Sequence, residues 1–198
     1  MITEFLEPAT VDPMLAVRSD HACFGCGDDN PIGLRLRFAA DGDGVKASFT
    51  PNPEHQGFHD VVHGGIISTI LDEAMAWATA HAGVWAVTGE MRVRFRQPLE
   101  FGELAIVMAR VSGVRGRLVN TAAELVLDRD RSPVATASAT FVRVGAEVEA
   151  AWRARYLQDS GGETAELPDV PQNAAEVRIE QGGINPSGDD AIHVDDDH

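Results

Sequence analysis

The chain has 198 residues, of which 44% are hydrophobic, and a formal net charge of −15 at pH 7. This length suits one domain with an appended segment, and the chain is long enough to bury a hydrophobic core. The negative charge argues against nucleic acid as a partner. No apolar run is long enough to span a bilayer, and residues 1–4 lack the features of a signal peptide, so we expect no membrane partner and a cytoplasmic location.

Two short strands joined by a tight turn are predicted near the start of the chain. We interpret residues 1–20 as an N-terminal leader. Apolar and polar residues alternate over 33–38, which predicts a half-buried strand. The sequence Asp-Gly-Asp-Gly at 41–44 is typical of a turn, and 45–50 alternates again, so we expect these two strands to form a hairpin.

One long helix follows, and four further strands come after it. Residues 64–81 are apolar on nearly every side, which predicts a helix buried in the core. Glycines and polar turns then separate four alternating segments, at 84–97, 103–113, 117–128 and 133–144. Consecutive hairpins make an antiparallel sheet, so we expect an α+β fold in which the sheet wraps around one long central helix.

The C-terminal segment differs in composition from the rest of the chain. Residues 145–198 contain 13 acidic residues and 3 arginines. The first part, over 147–158, is compatible with a helix, and the remainder is rich in glycine, proline and acid. We therefore divide the chain into the leader, a domain over 21–144, and an acidic C-terminal extension over 145–198 that is partly helical or disordered.

A carboxylate lies within the apolar helix. His63, Gly64 and Gly65 begin the helix, and Asp72 follows two turns later. Ionised carboxylates are rarely buried without a partner or a role. The first amides of a helix have no intrahelical acceptor and lie at the positive end of its dipole, so they can bind a carbonyl oxygen that gains negative charge.

This arrangement resembles the hot-dog-fold acyl-CoA thioesterases, above all those of the phenylacetic-acid degradation type (PaaI-like). The resemblance covers about residues 21–144 and includes the His-Gly-Gly motif with an aspartate nine positions after the histidine. It also includes Cys-Phe-Gly-Cys-Gly at 23–27, Asn-Pro-Ile-Gly-Leu at 30–34 and Val-Thr-Gly-Glu-Met-Arg-Val at 87–93. The resemblance implies a dimeric hot-dog fold and an acyl-CoA substrate.

The resemblance also implies roles for individual residues. In that family the helix-borne acid, here Asp72, is the base or nucleophile in thioester hydrolysis. The amide after the motif's histidine, here that of Gly64, polarises the thioester carbonyl, and Gly65 helps the turn. Thr88 matches a residue that helps to place water. No cofactor is implied, because coenzyme A is part of the substrate.

Five further residues are candidates for substrate contact. The family's second carbonyl donor falls on Gly57 here, with Gln56 one residue out of register. Arg115 and Arg117 could bind the phosphates of coenzyme A, or they could be solvated at a hairpin tip. Met75 could line the acyl pocket or belong to the core.

Several polar residues near the motif have two interpretations. His63 could help to polarise the carbonyl, or it could be a helix-entry histidine satisfied by the backbone. Asp72 could instead be paired with Arg92 or Arg94, since buried acids are often merely paired. We expect Glu73 at the wetter edge of the helix.

The spacing of the motif predicts a site that two chains share. Gly64 and Asp72 are eight residues apart, or about 12 Å along a helix axis. One helix cannot easily place both groups on one small carbonyl, whereas two antiparallel copies can. We therefore expect a two-fold homodimer with two composite sites, which could pair further into a tetramer.

Cys23 and Cys26 form a Cys-x-x-Cys pair with His21 nearby. We interpret the pair as a tight, buried turn before the first strand and predict no metal site. A structural zinc would need a fourth ligand from elsewhere in the chain. Redox activity is disfavoured because the sequence shows no helix or basic neighbour that would lower a thiol pKa.

The sequence thus predicts hydrolysis of an aryl- or medium-chain acyl-CoA. A non-catalytic acyl-CoA-binding protein with the same fold is one alternative. A hot-dog enoyl-CoA hydratase is another, because Asn-Pro-Glu-His at 52–55 is similar to its Asn-Pro-x-His signature. The acid expected just before that signature is missing, and Asp72 would have no role in hydration.

Overall fold

The computed structural model describes residues 18–157. Its elements are β1 (Ala39–Asp41), β2 (Gly44–Phe49), a short 3-10 helix (Pro53–His55), α1 (Gly64–His81), β3 (Ala86–Phe95), β4 (Ala105–Arg115), β5 (Leu118–Leu127), β6 (Pro133–Arg143) and α2 (Ala146–Tyr156). Neither helix in this part of the chain has the length and apolar character that a membrane crossing requires.

The six strands form one antiparallel sheet in the order β1-β2-β4-β5-β6-β3. After β2 the chain forms α1, and β3 then pairs with β6 at the edge of the sheet opposite to β1. The outer edge of β3 is consequently unpaired among the described residues. A register shift between Thr88 and Glu90 interrupts the pairing of β3 near its start. The predicted antiparallel sheet with one long helix is confirmed.

Helix α1 packs on one face of this sheet and fills the core. Its buried residues recur at helical spacing: Ile67, Ile70, Leu71, Ala74, Met75, Trp77, Ala78 and Thr79. The strands supply alternate residues to the same core, and β4, for example, buries Ala105, Val107 and Ala109. Since each fully buried large aliphatic side chain contributes about 1.5–3 kcal/mol, this packing holds the helix in place.

The prediction of a strand over 33–38 is wrong. The backbone N–H of Leu34 donates to the Phe24 carbonyl at 2.8 Å, and that of Leu36 donates to the Gly25 carbonyl at 2.9 Å. These bonds tie the segment to the preceding turn instead of to the sheet. The alternation correctly marked a half-buried segment, but its backbone partners lie outside the sheet, and only Ala39–Asp41 pairs with β2.

Helix α2 begins within one residue of the predicted position and packs back on the domain. The Tyr156 ring lies 4.9 Å from the His21 ring, and the Trp152 ring lies 6.4 Å from the Trp85 ring, as centroid distances. The start of the predicted extension is therefore helical. The predicted leader up to residue 17 and the extension from residue 158 lie outside the described residues.

Candidate active site

His63 caps the first turn of α1 and leaves one amide free. Its Nδ1 accepts a hydrogen bond from the Gly65 N–H at 2.8 Å, so the proton of the neutral ring is on Nε2. Within residues 18–157 the N–H of Gly64 has no acceptor. This amide lies at the positive end of an 18-residue helix, which is a position suited to a carbonyl oxygen that gains charge.

The loop before the helix lies close to this amide. A β carbon built on Gly57 would lie 2.8 Å from the His63 Cα, so the approach requires glycine. Gln56 next to it forms an isolated backbone bridge with Val62, and its side chain is exposed. The structure therefore places Gly57 and Gln56 beside the start of the helix. Within the described residues the Gln56 side chain makes no hydrogen bond.

Asp72 lies on the third turn of α1 and faces strand β3. Its Oδ1 accepts a hydrogen bond from the Thr88 hydroxyl at 2.7 Å, and Asp72 itself is half-buried. In the described part of the chain Asp72 forms no ion pair, so the interpretation in which it pairs with Arg92 or Arg94 is not supported. The second carboxylate oxygen is left without a protein donor there, which makes it available to a water molecule or a substrate.

The two parts of the predicted site, the Asp72 carboxylate and the Gly64 amide, both lie near the free edge strand β3. Asp72 contacts Thr88 near the start of β3, whereas a β carbon built on Gly64 would lie 3.3 Å from Cζ of Phe95 at the end of β3. The two groups are on one helix and about 12 Å apart along its axis. A single chain therefore presents a base at one end of the edge strand and a free amide at the other.

The remaining candidates for substrate contact lie in different surroundings. Arg115 and Arg117 are exposed on either side of Gly116, whose φ of +59° forms the β4–β5 turn. The Arg117 guanidinium donates to the Arg143 carbonyl at 3.3 Å. Met75 is fully buried in the core.

The expectation that Glu73 lies at the wetter edge of the helix is wrong. Its Oε1 accepts a hydrogen bond from the Trp77 indole N–H at 3.0 Å, and the Cys23 Sγ lies 3.7 Å from both of its carboxylate oxygens. Burial, followed by the nearby Cys23 sulfur, raises the pKa of Glu73 to about 7. The signal for this position was present in the sequence. Alanines at 76 and 80 follow Glu73 on its own helix face, and small apolar residues there indicate close packing.

The two cysteines form the tight, buried turn that the sequence predicted, and the turn perturbs both thiols. A hydrogen bond from the Cys26 thiol is the largest effect that lowers the pKa of Cys23, and backbone N–H groups of Cys26 and Gly25 add to it, so that this pKa is about 5. The same contact and burial raise the pKa of Cys26. The sequence showed no helix or basic neighbour that would lower a thiol pKa; in the folded chain the Cys26 thiol lowers the pKa of Cys23 most, and backbone amides add to it.

An aromatic cavity of about 280 Å³ opens beside this turn. Glu73 and both cysteines form part of its wall, and the rings of Trp77, Trp85, Trp152 and Tyr156 form much of the rest. The Trp85 indole N–H is buried and has no hydrogen-bond partner among the described residues. An apolar cavity with a few convergent polar groups is typical of a ligand site.

Comparison with known proteins connects the Asp72 region with thioesterases. Residues 59–134 match the family model described as the thioesterase superfamily. The chain is 25% identical over 96 residues to acyl-coenzyme A thioesterase THEM4 of Xenopus laevis, and the match covers 48% of this chain and 43% of that protein. The chain spans about half the length of the curated relatives that it matches.

Solved structures show the same fold. The Escherichia coli PaaI protein from the phenylacetic acid degradation operon superposes with a TM-score of 0.53 at 22% identity, over 57% of this chain and 81% of that one. The smu.793 protein of Streptococcus mutans, solved with acetyl-CoA bound, gives 0.53 at 16% identity, over 56% of this chain and 89% of that one. The predicted hot-dog fold is confirmed.

Proposed function

We propose that the chain, which has the PaaI-like hot-dog fold, is a member of the thioesterase superfamily and hydrolyses the thioester of an acyl-CoA. The observation that carries this proposal is the bond of 2.7 Å between the Thr88 hydroxyl and Asp72 at an open sheet edge. A carboxylate that is oriented by a hydroxyl and has no cationic partner in the described chain is suited to act as a base or nucleophile.

The proposed reaction uses the carboxylate at one end of the edge strand and the amide at the other. The Gly64 N–H binds the thioester carbonyl oxygen and stabilises the negative charge that forms there. Asp72, oriented by Thr88, takes a proton from a water molecule while the water oxygen forms a bond to the carbonyl carbon. The carbon–sulfur bond then breaks, and the proton passes to the thiolate of coenzyme A, which leaves. Direct attack by Asp72 would instead form an acyl-enzyme anhydride that water hydrolyses.

The free edge of β3 supports a two-fold dimer. The Arg96 N–H donates to the Val134 carbonyl of β6, so by alternation the N–H groups of Met91 and Val93 point toward the unpaired edge. Phe95 on this strand is 51% exposed. Because an unpaired edge strand is a template for pairing, we infer that a second copy adds its own β3 here.

Antiparallel pairing of two such strands completes the site. A two-fold axis near Met91 places the Thr88 end of one strand opposite the Phe95 end of the other. Asp72 lies at the first of these ends and Gly64 at the second. Each chain would then supply the base for one site and the amide for the other, which resolves the separation of about 12 Å along one helix.

An acyl-CoA is the substrate class that the comparisons favour. The Xenopus relative is named an acyl-CoA thioesterase, and the S. mutans neighbour was solved with acetyl-CoA. We propose Arg115 and Arg117 as contacts for the coenzyme A phosphates, because the chain's charge of −15 requires a local cationic patch to attract a polyanion. We propose an aryl or medium-chain aliphatic acyl group.

Thiol release from a panel of acyl-CoAs tests the proposed activity. The panel contains acetyl-, medium-chain, enoyl- and phenylacetyl-CoA, and a thiol reagent and the enoyl absorbance are followed in parallel. Asp72→Asn should lower kcat by at least about a hundredfold, since it removes the base but keeps the shape. Asp43→Asn is the matched control, because Asp43 is exposed in the turn at the opposite edge of the sheet and should be neutral. Enoyl loss without thiol would favour a hydratase, binding without turnover would favour a carrier, and either outcome would overturn the proposal.

Mixed dimers test whether the site is shared. Asp72→Ala lacks the base, and Gly64→Pro lacks the amide, so each homodimer should be inactive. A mixed dimer keeps one intact composite site, and subunit exchange should therefore restore activity. Exchange that is demonstrated by mass but restores no activity would contradict the shared site.

A further inference from the structure

Three side chains of types that commonly bind metals converge on the side of α1 that faces the Cys-x-x-Cys turn. Cys23 and Cys26 come from the turn that precedes β1, and Glu73 comes from the helix. One ligand atom from each lies within 4.8 Å of the other two, and the Cys23 Sγ is 3.7 Å from either carboxylate oxygen of Glu73. None of these side chains has a role in the proposed thioester hydrolysis.

The separation of these atoms matches a tetrahedral zinc site. With zinc–sulfur bonds of about 2.3 Å and zinc–oxygen bonds of about 2.0 Å, a sulfur and an oxygen on one tetrahedral ion lie roughly 3.5 Å apart, and two sulfurs lie roughly 3.8 Å apart. The observed sulfur–oxygen distance of 3.7 Å differs from the first value by about 0.2 Å. Cys23 and Glu73 therefore already lie at the separation that a shared ion requires, and the Cys26 sulfur lies within 4.8 Å of both.

Neighbouring groups already orient the ligands. The Trp77 indole N–H binds Oε1 of Glu73 at 3.0 Å, which leaves Oε2 for an ion. A β carbon at Gly25 would lie 2.5 Å from the Glu73 carboxylate, so a larger residue there would displace the acid from the turn. Such outer contacts are what set ligand direction in metal sites.

The cluster lacks a cationic partner. Among residues 18–157 no lysine or arginine forms an ion pair with Glu73, which is surrounded by two sulfurs and an indole. His21 does not serve as a ligand as placed, because Nδ1 accepts the Cys23 N–H and Nε2 lies 2.9 Å from the Arg18 carbonyl. A buried acid beside two thiols is stabilised if a cation replaces their protons.

We propose that Cys23, Cys26 and Glu73 bind one zinc ion, with the fourth position open to the aromatic cavity. This proposal does not depend on the thioesterase activity. The unpaired indole N–H of Trp85 belongs to the wall of the same cavity, and an occupant such as a zinc-bound water would provide an acceptor for it. Zinc sites with three protein ligands and one open position bind an exchangeable ligand, unlike closed structural sites.

Cobalt substitution of the full-length chain tests the site directly. Reduced, metal-free protein is titrated with Co²⁺, and the zinc content of freshly purified protein is measured by mass spectrometry. We expect one equivalent per chain, with the sulfur-to-cobalt charge-transfer band and the strong visible bands of tetrahedral cobalt. Cobalt that is held only by carboxylates or imidazoles elsewhere in the chain lacks the sulfur band, so the two can be told apart.

Two variants assign the ligands. Cys26→Ser should remove about half of the sulfur band, because one of two thiolates is lost. Glu73→Gln should keep the band but weaken cobalt binding by more than about tenfold. Loss of a residue that only hydrogen-bonds to a metal ligand already costs about that factor, and Glu73 is proposed as a ligand itself. Glu124→Gln, an exposed acid on β5, is the matched control and should bind like the parent chain. Thermal unfolding of each variant confirms that it is folded.

Three results would overturn the proposal. The first concerns the parent chain. If a thiol reagent shows that both cysteines are reduced, but the chain gives no sulfur-to-cobalt charge-transfer band and binds no zinc, the site does not exist. The second is unchanged cobalt affinity in Glu73→Gln, which would remove the glutamate from the site. The third is a Cys23–Cys26 disulfide that forms in air and is unaffected by excess zinc, because it would show a redox pair instead of a metal site.

Discussion

Replacing Gly64 with proline removes one backbone N–H at the start of α1 and changes little else. Gly64 is the first helical residue, where proline is well tolerated. The preceding His63 has φ −61° and ψ 132°, which is the extended backbone that a residue before proline prefers. The matched control is Gly64→Ala, which adds a β carbon in the same place but keeps the N–H. The difference between the two variants isolates the amide.

The expected size of the effect follows from the surroundings of Gly64. The loss of one donor from an oxyanion-binding site lowers kcat by about 10²–10³, or about 2.7–4 kcal/mol. The added β carbon would lie 3.3 Å from the Phe95 ring, so that ring needs to shift by only a few tenths of an ångström. We therefore expect Gly64→Ala to keep kcat within about threefold of the parent chain, which corresponds to less than about 0.7 kcal/mol.

Steady-state thiol release with the best acyl-CoA measures both variants, and thermal unfolding shows whether each is folded. The proline variant should lose kcat, with a smaller change in KM, because the donor acts mainly on the charge that forms during the reaction. A folded proline variant with the kcat of the alanine variant would show that the Gly64 amide does not bind the oxyanion. An alanine variant as inactive as the proline variant would point to crowding by the β carbon instead.

Three further predictions concern the edge strand and the loop before the helix. Thr88→Val should lower kcat by about ten- to a hundredfold, because Asp72 loses a hydrogen bond worth about 1.5–3 kcal/mol, whereas Thr88→Ser should retain most activity in the same assay. Met91→Pro removes an N–H of the free edge, so it should be a monomer by light scattering and inactive in the same assay. Met91→Ala keeps the N–H and should stay dimeric, and a dimeric proline variant would argue against pairing through β3. Burial lowers the pKa of His55, whose ring accepts the Asn52 N–H at 3.1 Å. The folded chain thus binds this proton less readily than the unfolded chain, so its stability should fall as the pH drops below about 6.5, and a melting temperature that falls as steeply in His55→Gln would contradict this.

The sequence predicted the elements well where the pattern was long and its start was marked. The helix expected over 64–81 is Gly64–His81, because a continuous apolar stretch begins directly after a histidine and two glycines. The four later strands were predicted from alternation; three lie within their predicted segments, and β4 continues two residues beyond its segment. Alternation is sufficient to identify these strands, because each has one buried face and one exposed or less buried face.

The prediction failed where the backbone partner of a segment lies outside regular structure. Residues 33–38 alternate like a strand, but their amides donate to the Phe24 and Gly25 carbonyls of an irregular turn. Alternation reports which side chains are buried, and it does so correctly here for Leu36 and Phe38. It carries no information about where the N–H groups bond, so a half-buried coil and a half-buried strand have the same sequence pattern.

Asp72 and Glu73 show why a helix is easier to predict than the sites on it. Successive residues on a helix are turned by about 100°, so two adjacent acids face different elements. Asp72 meets the Thr88 hydroxyl 16 residues later in the chain, and Glu73 meets the Cys23 sulfur 50 residues earlier. Periodicity shows only that neither acid belongs to the most deeply buried face. Their surroundings depend on an edge strand and a turn that reach the helix only in the folded chain, and for that reason two neighbouring carboxylates can support two separate chemistries.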